Sequence, residues 1–306
     1  MRRLAPLALA LAAPVIPSKH GLGAQTLDST LTRPTPNCQS CAEWNAPHAP
    51  FHLFGNAWYV GTNGLSAVLL TSDAGHVLID GGLAETAPLV AANVRALGFR
   101  LEDVKLILNS HAHYDHAAGI EPLRRASGAT VAASPASARW MKAGGVATDD
   151  PQYGLVLAYA PVPNVRVLAD GETVRVGTTA LTAHFTPGHT PGGTTWTWRS
   201  CEGARCLDFV YADSQTPVSA DGFSFTRNTT YPGIVRDFEH GIAVLEGLSC
   251  DVLITPHPGA SSLWPRVAAR DSGKADALVD RDACKRYAAT ARQALAKRLA
   301  AEAGKQ

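Results

Sequence analysis

Short apolar runs separated by turn residues dominate the chain from residue 57 onward. Residues 57–61, 65–71 and 76–80 are rich in β-branched and aromatic side chains. Asn63-Gly64 and Asp73-Ala74-Gly75 separate these runs, and such sequences are typical of tight hairpin turns. The pattern therefore predicts three neighbouring strands that form an antiparallel meander.

Helical periodicity begins after this meander and alternates with short strands. Apolar residues recur at helical spacing over residues 84–97, Gly98 ends that pattern, and residues 104–108 follow as a buried strand. The same criteria predict helices over residues 117–126, 135–142, 234–248 and 283–300, and strands over residues 130–133, 165–168, 173–176, 180–185, 194–198, 208–211 and 252–254. Strands and helices in both halves predict an α/β fold with two sheets covered by helices.

Two longer segments show neither the helical spacing nor the strand pattern of apolar residues. Residues 25–50 are rich in Pro, Asn, Thr and Ser and predict an irregular arm on the surface. Residues 144–163 are rich in Gly and Pro, and since long loops are often functional we expect them to line a binding site. No linker-like break divides the sequence, so residues 25–306 predict a single domain.

The N-terminus resembles a signal peptide. A Met-Arg-Arg segment precedes an apolar run over residues 4–16, which is too short to span a bilayer and is interrupted by proline. The alternative, a buried N-terminal strand or helix, fits these prolines poorly. We therefore expect cleavage near Ala24, removal of residues 1–24 and, in a Gram-negative host, a periplasmic protein with no membrane span.

Composition narrows the possible functions. The 306 residues are 46% hydrophobic and 17% charged, which is typical of a soluble globular protein. The 27 Lys and Arg against 26 Asp and Glu give a net charge of +1, so electrostatics alone would not hold a nucleic acid or an anionic membrane. We expect neither as a partner. The six cysteines are an even number, which is compatible with disulfides in an oxidising compartment.

A dense cluster of metal-binding side chains follows the strand predicted over residues 104–108. Within six positions the chain carries His111, His113, Asp115 and His116. In an extended loop His111 and His113 point the same way, while Asp115 and His116 turn to the other side, so one segment can serve two neighbouring metal ions. Imidazole and carboxylate ligands without thiolate favour zinc in a hydrolytic site.

Two further histidines occur in similar surroundings. His189, in Pro-Gly-His-Thr-Pro-Gly-Gly, and His257, in Thr-Pro-His-Pro, each follow a predicted strand. Asp80 also follows a strand, but a turn-capping or ligand-orienting role is favoured over metal ligation. Cys38 and Cys41 resemble half of a zinc knuckle, yet the second half is missing and export favours a disulfide. The remaining histidines are interpreted as ordinary surface or core residues: His20, His48, His52, His76, His184 and His240.

These motifs resemble the metallo-β-lactamase superfamily over nearly the whole chain after residue 24. The third subclass of class B β-lactamases is indicated by several segments together: Trp44-Asn45-Ala46-Pro47, residues 55–61, residues 194–198, Tyr211-Ala212-Asp213-Ser214 and Thr255-Pro256-His257-Pro258. The resemblance implies an αββα sandwich of two mixed sheets with a dizinc site at one edge. It implies a first zinc on His111, His113 and His189, and a second zinc on Asp115, His116 and His257. The other two subclasses have a Cys ligand near the position of Ser214.

The implied activity is hydrolysis of the β-lactam amide bond of penicillins, cephalosporins and carbapenems, and hence antibiotic resistance, by a protein expected to be a monomer. A water shared by two zinc ions loses a proton near neutral pH and attacks the carbonyl, while Asp115 holds the second zinc and orients that water. By resemblance Ser214 and Thr216 hydrogen-bond the substrate carboxylate. In the long loop, Gln152 and Tyr153 are weaker candidates for contact with substrate.

Two other functions stay open at this point. Another dizinc hydrolase, such as a lactonase or a glyoxalase-II-like thioesterase, would require Asp213 to bridge both metals, with Ser214 facing away. A non-catalytic protein that stores or senses zinc would not need an open coordination position.

The resemblance also implies disulfides joining Cys201 to Cys206 and Cys250 to Cys284. Cys38 and Cys41 are then left to each other, although similar proteins place one partner at the position of Asn63.

Overall fold

The computed structural model describes residues 26–304. The predicted signal peptide, residues 1–24, lies outside the described residues. Within residues 26–304, none of the helices combines the length and the apolar character needed to cross a membrane.

The first sheet has seven strands in sequential order, β1 to β7. Strands β1 to β4 are antiparallel neighbours, as the predicted meander requires, whereas β4 to β7 run parallel. The sheet is therefore mixed. Its strands are β1 (Phe51–Phe54), β2 (Ala57–Tyr59), β3 (Val68–Leu70), β4 (His76–Ile79), β5 (Val104–Leu108), β6 (Thr130–Ala133) and β7 (Arg166–Val167).

The second sheet has five strands in the order β12-β11-β10-β9-β8. Its strands are β8 (Thr173–Val176), β9 (Thr179–Phe185), β10 (Thr194–Glu202), β11 (Arg205–Tyr211) and β12 (Val252–Ile254). Only the β11–β12 pair is parallel among the pairings described for this sheet, so it is mixed as well. Both sheets confirm the predicted architecture.

Helices cover the outer faces of both sheets. The α-helices within residues 26–304 are α1 (Cys41–Trp44), α2 (Ala87–Ala96), α3 (Tyr114–Ala117), α4 (Ile120–Ser127), α5 (Pro135–Ala143), α6 (Ile234–Gly247), α7 (Leu263–Asp271) and α8 (Ala283–Ala303), of which α2, α4, α5, α6 and α8 provide this cover. One apolar core, with Trp196 and Leu108, fills the space between the sheets. A second core joins the first sheet to α2, α4 and α5, and a third joins the second sheet to α6 and α8. The layers are thus helix, sheet, sheet and helix.

Four elements differ from the sequence-based prediction, and the first is helix α1, a single turn within the arm expected to be irregular. Strand β1 lies directly after the Pro-rich arm, so its four residues gave no separate periodic signal. Helix α7 buries only Leu263 and Val267 and carries Pro265 in its first turn, which obscured its apolar stripe. The helix predicted over residues 117–126 is two helices, because the Gly119 amide donates to the carbonyl of Gly82 instead of continuing α3.

All six cysteines are paired in the structure. Disulfides join Cys38 to Cys41, Cys201 to Cys206 and Cys250 to Cys284. The second bridge closes the β10–β11 hairpin, where Cys201 and Cys206 are direct cross-strand partners. The third attaches α8 to the segment that enters β12.

Candidate metal centre

The loop after β5 carries the predicted ligand motif in a fixed conformation. The side-chain amide of Asn109 donates to the carbonyl of His111 at 2.7 Å, and the Tyr159 hydroxyl donates to the carbonyl of Ala112 at 2.8 Å. The backbone is extended at His113 and then enters α3, whose first turn contains Asp115. The change from extended to helical backbone explains why the motif directs its side chains into two groups.

The first group contains His111, His113 and His189. One ring nitrogen of each lies within 4.8 Å of those of the other two, and the three ring centroids are 4.9 to 5.0 Å apart. His189 reaches the group from the loop after β9. All three side chains are buried, so their orientation is set by the protein and not by solvent.

Each imidazole of the first group uses its other nitrogen in a hydrogen bond. His111 Nδ1 lies 2.7 Å from Asp213 Oδ1, and His113 Nε2 lies 2.9 Å from Asp150 Oδ2. His189 Nδ1 lies 3.0 Å from the carbonyl oxygen of Thr216. These acceptors fix the ring orientations, as is usual for metal-binding histidines.

The second group is centred on Asp115. Its Oδ2 lies 3.2 Å from His116 Nε2 and 3.1 Å from His257 Nε2. Ligand atoms of His111, Asp115 and His116 also lie within 4.8 Å of one another, so the two groups adjoin at His111. His257 Nδ1 lies 3.2 Å from the carbonyl oxygen of Gly64, and the Trp44 ring packs on its imidazole with centroids 5.1 Å apart.

Several donor atoms of these groups are buried without a protein partner. Within the described part of the chain, His111 Nε2 and His116 Nδ1 have no hydrogen-bond partner, and His116 Nε2 has only the Asp115 carboxylate oxygen, 3.2 Å away. Burying an imidazole nitrogen unpaired is unfavourable, whereas a metal ion would satisfy it. The residues present therefore fit a bound metal.

Burial also keeps the imidazoles available as ligands. It lowers the pKa of His189 to about 3 and, together with neighbouring histidines, holds the pKa of His111 well below its usual range. Both rings are then neutral at pH 7, and a neutral imidazole is the form that binds metal. Although burial raises the pKa of Asp115, the adjacent His116 and His257 outweigh it and keep that pKa well below the ordinary value.

Asp80 lies behind the ligand loop. Its carboxylate accepts hydrogen bonds from the Ser110 amide at 2.8 Å, the Ser110 hydroxyl at 2.6 Å and the Tyr211 hydroxyl at 2.9 Å. Its φ of 60° is in the left-handed region, which Asp tolerates better than most residues. These contacts agree with the predicted orienting role.

Asp213 lies on the far side of the His111 ring from the donor groups. Its Oδ1 contacts His111 Nδ1, and its Oδ2 has no partner among residues 26–304. Burial raises the pKa of Asp213 well above its ordinary value. Gly193 is required beside it, because a Cβ there would lie 2.4 Å from Asp213 Oδ2. Asp213 therefore does not have the bridging position expected for the alternative hydrolases.

A small cavity of about 190 Å³ opens onto both groups. It is lined by Trp44, His113, Tyr114, Asp115, Gln152, Val156, His189, Ser214, Thr216, Val218 and His257. The predicted substrate-binding residues Ser214 and Thr216 thus lie beside the donor groups. Gln152 also lines the cavity, but Tyr153 does not and is 50% exposed, so the expectation for Tyr153 is not met.

Sequence reasoning missed several residues that hold the site. Asp150, in the long loop, contacts His113, and the carbonyl groups of Gly64 and Thr216 contact His257 and His189. Every residue has a backbone carbonyl group, so the sequence does not indicate which of them accept these hydrogen bonds. The only signal for Asp150 was an acidic pair, Asp149-Asp150, within a loop already considered functional.

Comparison with known proteins agrees with this geometry. Residues 60–264 match the family model described as Metallo-beta-lactamase superfamily. The chain belongs to the metallo-β-lactamase superfamily, a class defined by this fold and site.

Similarity to solved structures indicates the subclass within this superfamily. The chain is 56% identical to Rm3 metallo-beta-lactamase, with a TM-score of 0.86, over 89% of this chain and 100% of that one. It is 49% identical to MEM-A1, a subclass B3 metallo-beta-lactamase isolated from a soil metagenome library, with a TM-score of 0.84, over 86% and 100% of the two chains. Within the superfamily the similarity is therefore to subclass B3.

Curated relatives match only in part. A hydroxyacylglutathione hydrolase from Cereibacter sphaeroides is 32% identical over 127 residues, which is 40% of this chain. The match spans 42% of the length of that relative.

Proposed function

We propose that the chain is a zinc-dependent β-lactamase that hydrolyses the β-lactam amide bond of penicillins, cephalosporins and carbapenems. The observation that carries the proposal is one cavity bordered by residues of both donor groups and by the hydroxyl side chains of Ser214 and Thr216. The similarity to Rm3 metallo-beta-lactamase, which covers all of that chain, supports the same substrate class.

Two zinc ions fit the two donor groups. His111, His113 and His189 would hold one ion, and Asp115, His116 and His257 would hold the other. Bound zinc polarises a carbonyl group and lowers the pKa of a coordinated water, which is the chemistry that amide hydrolysis needs.

The protein's own residues position the reactants. Asp115 lines the cavity as an ionised carboxylate, so it can accept a hydrogen bond from the attacking water and orient it. Ser214 and Thr216 carry hydroxyl groups on the same wall, where they can donate hydrogen bonds to the carboxylate beside the lactam nitrogen. His189 is held by the Thr216 carbonyl, which links the substrate-binding wall to the first donor group.

Turnover of a chromogenic cephalosporin by purified residues 25–306 tests the proposal. Activity should be lost on exhaustive chelation and should return with zinc, and a penicillin and a carbapenem should also be hydrolysed. Expression should raise the β-lactam tolerance of a susceptible host. Activity that survives chelation, or a covalent substrate adduct on a serine, would contradict this mechanism.

The partial similarity to hydroxyacylglutathione hydrolase supports a second candidate, thioester hydrolysis. The position of Asp213 behind His111 argues against it, because that carboxylate is engaged away from the donor groups. Parallel assays with a hydroxyacylglutathione thioester and the cephalosporin separate the two. Faster thioester turnover would favour the second candidate.

A further inference from the structure

The loop of residues 144–163 places one buried carboxylate against the first donor group. Asp150 is 1% exposed, and both of its oxygens are used. Oδ2 accepts a hydrogen bond from His113 Nε2 at 2.9 Å, and Oδ1 accepts one from the backbone amide of Gln152 at 2.8 Å. Asp150 therefore contacts a candidate ligand on one side and the cavity wall on the other.

The His113 ring is confined on its other sides as well. The buried indole of Trp140 stacks on it, with centroids 6.2 Å apart and an interplanar angle of 29°. Trp140 is itself fixed, because its Nε1 donates to Asp149 Oδ1 at 3.1 Å. His189 packs against His113 edge to face, with centroids 5.0 Å apart. Once the ring plane is fixed in this way, the remaining variable is which nitrogen carries the proton.

His113 differs in this respect from the other two members of its group. His111 and His189 both use Nδ1 in their hydrogen bonds to acceptors, so Nε2 is the atom that faces the candidate metal position; the Gln152 side-chain nitrogen lies 3.4 Å from His189 Nε2. His113 uses Nε2, which leaves Nδ1. A neutral imidazole has one proton, and a carboxylate acceptor holds that proton on the nitrogen that faces it.

We propose that Asp150 is a positioning residue that keeps the His113 proton on Nε2, so that Nδ1 is the metal-binding atom. The inference rests on the metal centre of the proposed function. The same carboxylate fixes the backbone of Gln152, which lines the cavity. Asp150 thereby couples metal retention at the first donor group to the shape of the substrate-binding wall.

An Asp150→Asn variant tests the chemistry because an amide offers one acceptor and one donor. In the native protein both oxygens accept, from His113 and from the Gln152 amide. If the amide oxygen of the variant faces Gln152, its NH₂ group faces His113 Nε2 and favours the tautomer with the proton on Nδ1. The opposite orientation is disfavoured, because it sets the NH₂ group against the Gln152 backbone N–H, and a backbone N–H cannot become an acceptor whereas His113 can move its proton to Nδ1. The variant therefore changes the proton position on His113 at nearly unchanged side-chain volume.

The experiment is zinc titration of the metal-free protein in competition with a chromophoric chelator. Asp150→Asn should lower the zinc affinity of the first donor group by about 10- to 100-fold, as is typical when a hydrogen-bond partner of a metal-binding histidine is replaced. Asp251→Asn is the matched control, since it removes a carboxylate that accepts from the Asp208 backbone amide and pairs with Arg281, away from both donor groups. We expect zinc affinity of the control to stay within about 2-fold of wild type, well below the change at Asp150.

Two further measurements separate positioning from general destabilisation. Nitrogen-15 NMR of the metal-free proteins should show the His113 proton on Nε2 in the wild type and a population with the proton on Nδ1 in Asp150→Asn. In a His113→Ala background, Asp150→Asn should produce no further loss of zinc affinity. Equal affinities of the Asp150 and Asp251 variants, an unchanged tautomer, or a full loss in the His113→Ala background would each overturn the proposal.

Failure of this inference is distinguishable from failure of the proposed function. A wild-type protein that binds zinc but hydrolyses no β-lactam contradicts the function, while the affinity and tautomer measurements still decide the role of Asp150. A wild-type protein that binds no zinc overturns both.

Discussion

At the scale of single residues, the candidate centre depends on what each donor does with its second polar atom. His111 and His113 hydrogen-bond to buried carboxyl groups, whereas His189 and His257 hydrogen-bond to backbone carbonyl groups. His116 has neither: its Nδ1 is buried without a partner within residues 26–304, and its Nε2 lies 3.2 Å from Asp115 Oδ2. It is therefore the side chain whose burial depends most directly on a bound ion.

Replacement of Asp115 tests the division into two donor groups. Asp115→Ala removes the carboxylate between His116 and His257, so we expect loss of the second metal ion and a fall in kcat of about 100-fold or more. Metal content and cephalosporin turnover measure the two effects.

His76→Ala is the matched control. His76 is also buried, but it packs on Phe99 and accepts from the Ser72 amide, away from the donor groups. We expect this variant to lose stability while it keeps its metal content and turnover. Equal losses of turnover in the two variants would refute the assignment of Asp115.

The donor residues could be predicted because their spacing is encoded in the sequence. Three histidines and an aspartate within six positions have no explanation in packing, and His189 and His257 lie among turn residues after strands. Asp150 could not be predicted in the same way. Its role arises from a loop that folds back over His113, 37 positions away, and one carboxylate in a polar loop carries no periodicity.

At the scale of elements, helix α8 supports the wall of the cavity. The Tyr287 hydroxyl donates to the carbonyl of Asp213 at 3.0 Å and accepts from the Gln215 amide at 3.2 Å. These contacts hold the segment that carries Ser214. The Cys250–Cys284 disulfide and the third apolar core attach the same helix to the second sheet.

Removal of the Cys250–Cys284 disulfide should be costly for stability. The bridge closes a sequence separation of 34 residues, and loop entropy gives a contribution of about 3 to 4 kcal/mol. A Cys250→Ala/Cys284→Ala variant should lose about that much free energy of unfolding in urea. Cys201→Ala/Cys206→Ala, with a separation of 5 residues, should lose only about 2 kcal/mol. Recovery of Cys250 joined to another cysteine in unreduced peptide maps would refute this pairing.

The C-terminal end of α8 is fixed by Glu302. Its carboxylate accepts hydrogen bonds from the Phe225 amide, the Ser224 hydroxyl and the Arg298 guanidinium, each at 2.8 Å. Although burial opposes ionisation of Glu302, these hydrogen bonds outweigh it and lower its pKa to about 2, against an ordinary value of 4.5. A carboxylate with a depressed pKa stabilises the fold above its unfolded pKa, and this stabilisation is lost as the pH falls.

Glu302→Gln should therefore destabilise the protein in a pH-dependent way. At pH 7 we expect a loss of at most about 3 kcal/mol in the free energy of unfolding. The difference from wild type should narrow as the pH falls from about 4.5 towards 2, because Glu302 then becomes protonated in both states. Urea unfolding across this range measures it, with Glu239→Gln on the exposed face of α6 as the control. A difference that does not change with pH would contradict the role of the charge.

Element prediction succeeded where periodicity was strong and failed where packing decides. Helix α2 and strand β5 have clear apolar patterns and were predicted within a few residues of their bounds. Strand β1 exists because it pairs with β2 across a turn at Gly55, whose φ is 57°. Such a short strand has no signal until its partner is known.

At the scale of the whole molecule, the two mixed sheets bring distant segments to one edge. The loops after β5, β9, β11 and β12 carry His111, His189, Asp213 and His257, and each begins where its strand ends. The sequence predicts two sheets covered by helices, but it does not predict the order of strands within each sheet, because sequence patterns do not specify which strands are neighbours. The resemblance to a known family supplied the assembled site.

Export is the last prediction, and it concerns the chain as a whole. The Met-Arg-Arg segment and the apolar run after it are typical of a signal peptide, and the six cysteines form three disulfides, which persist in oxidising compartments. Expression of the full chain in a Gram-negative host should give a periplasmic protein that begins near Gln25 and has no free thiol. Replacing Arg2 and Arg3 with Glu should reduce export, because the positive segment is part of the signal. N-terminal sequencing and thiol titration of the two cell fractions measure the outcome; a cytoplasmic protein that still begins at Met1 would refute the prediction.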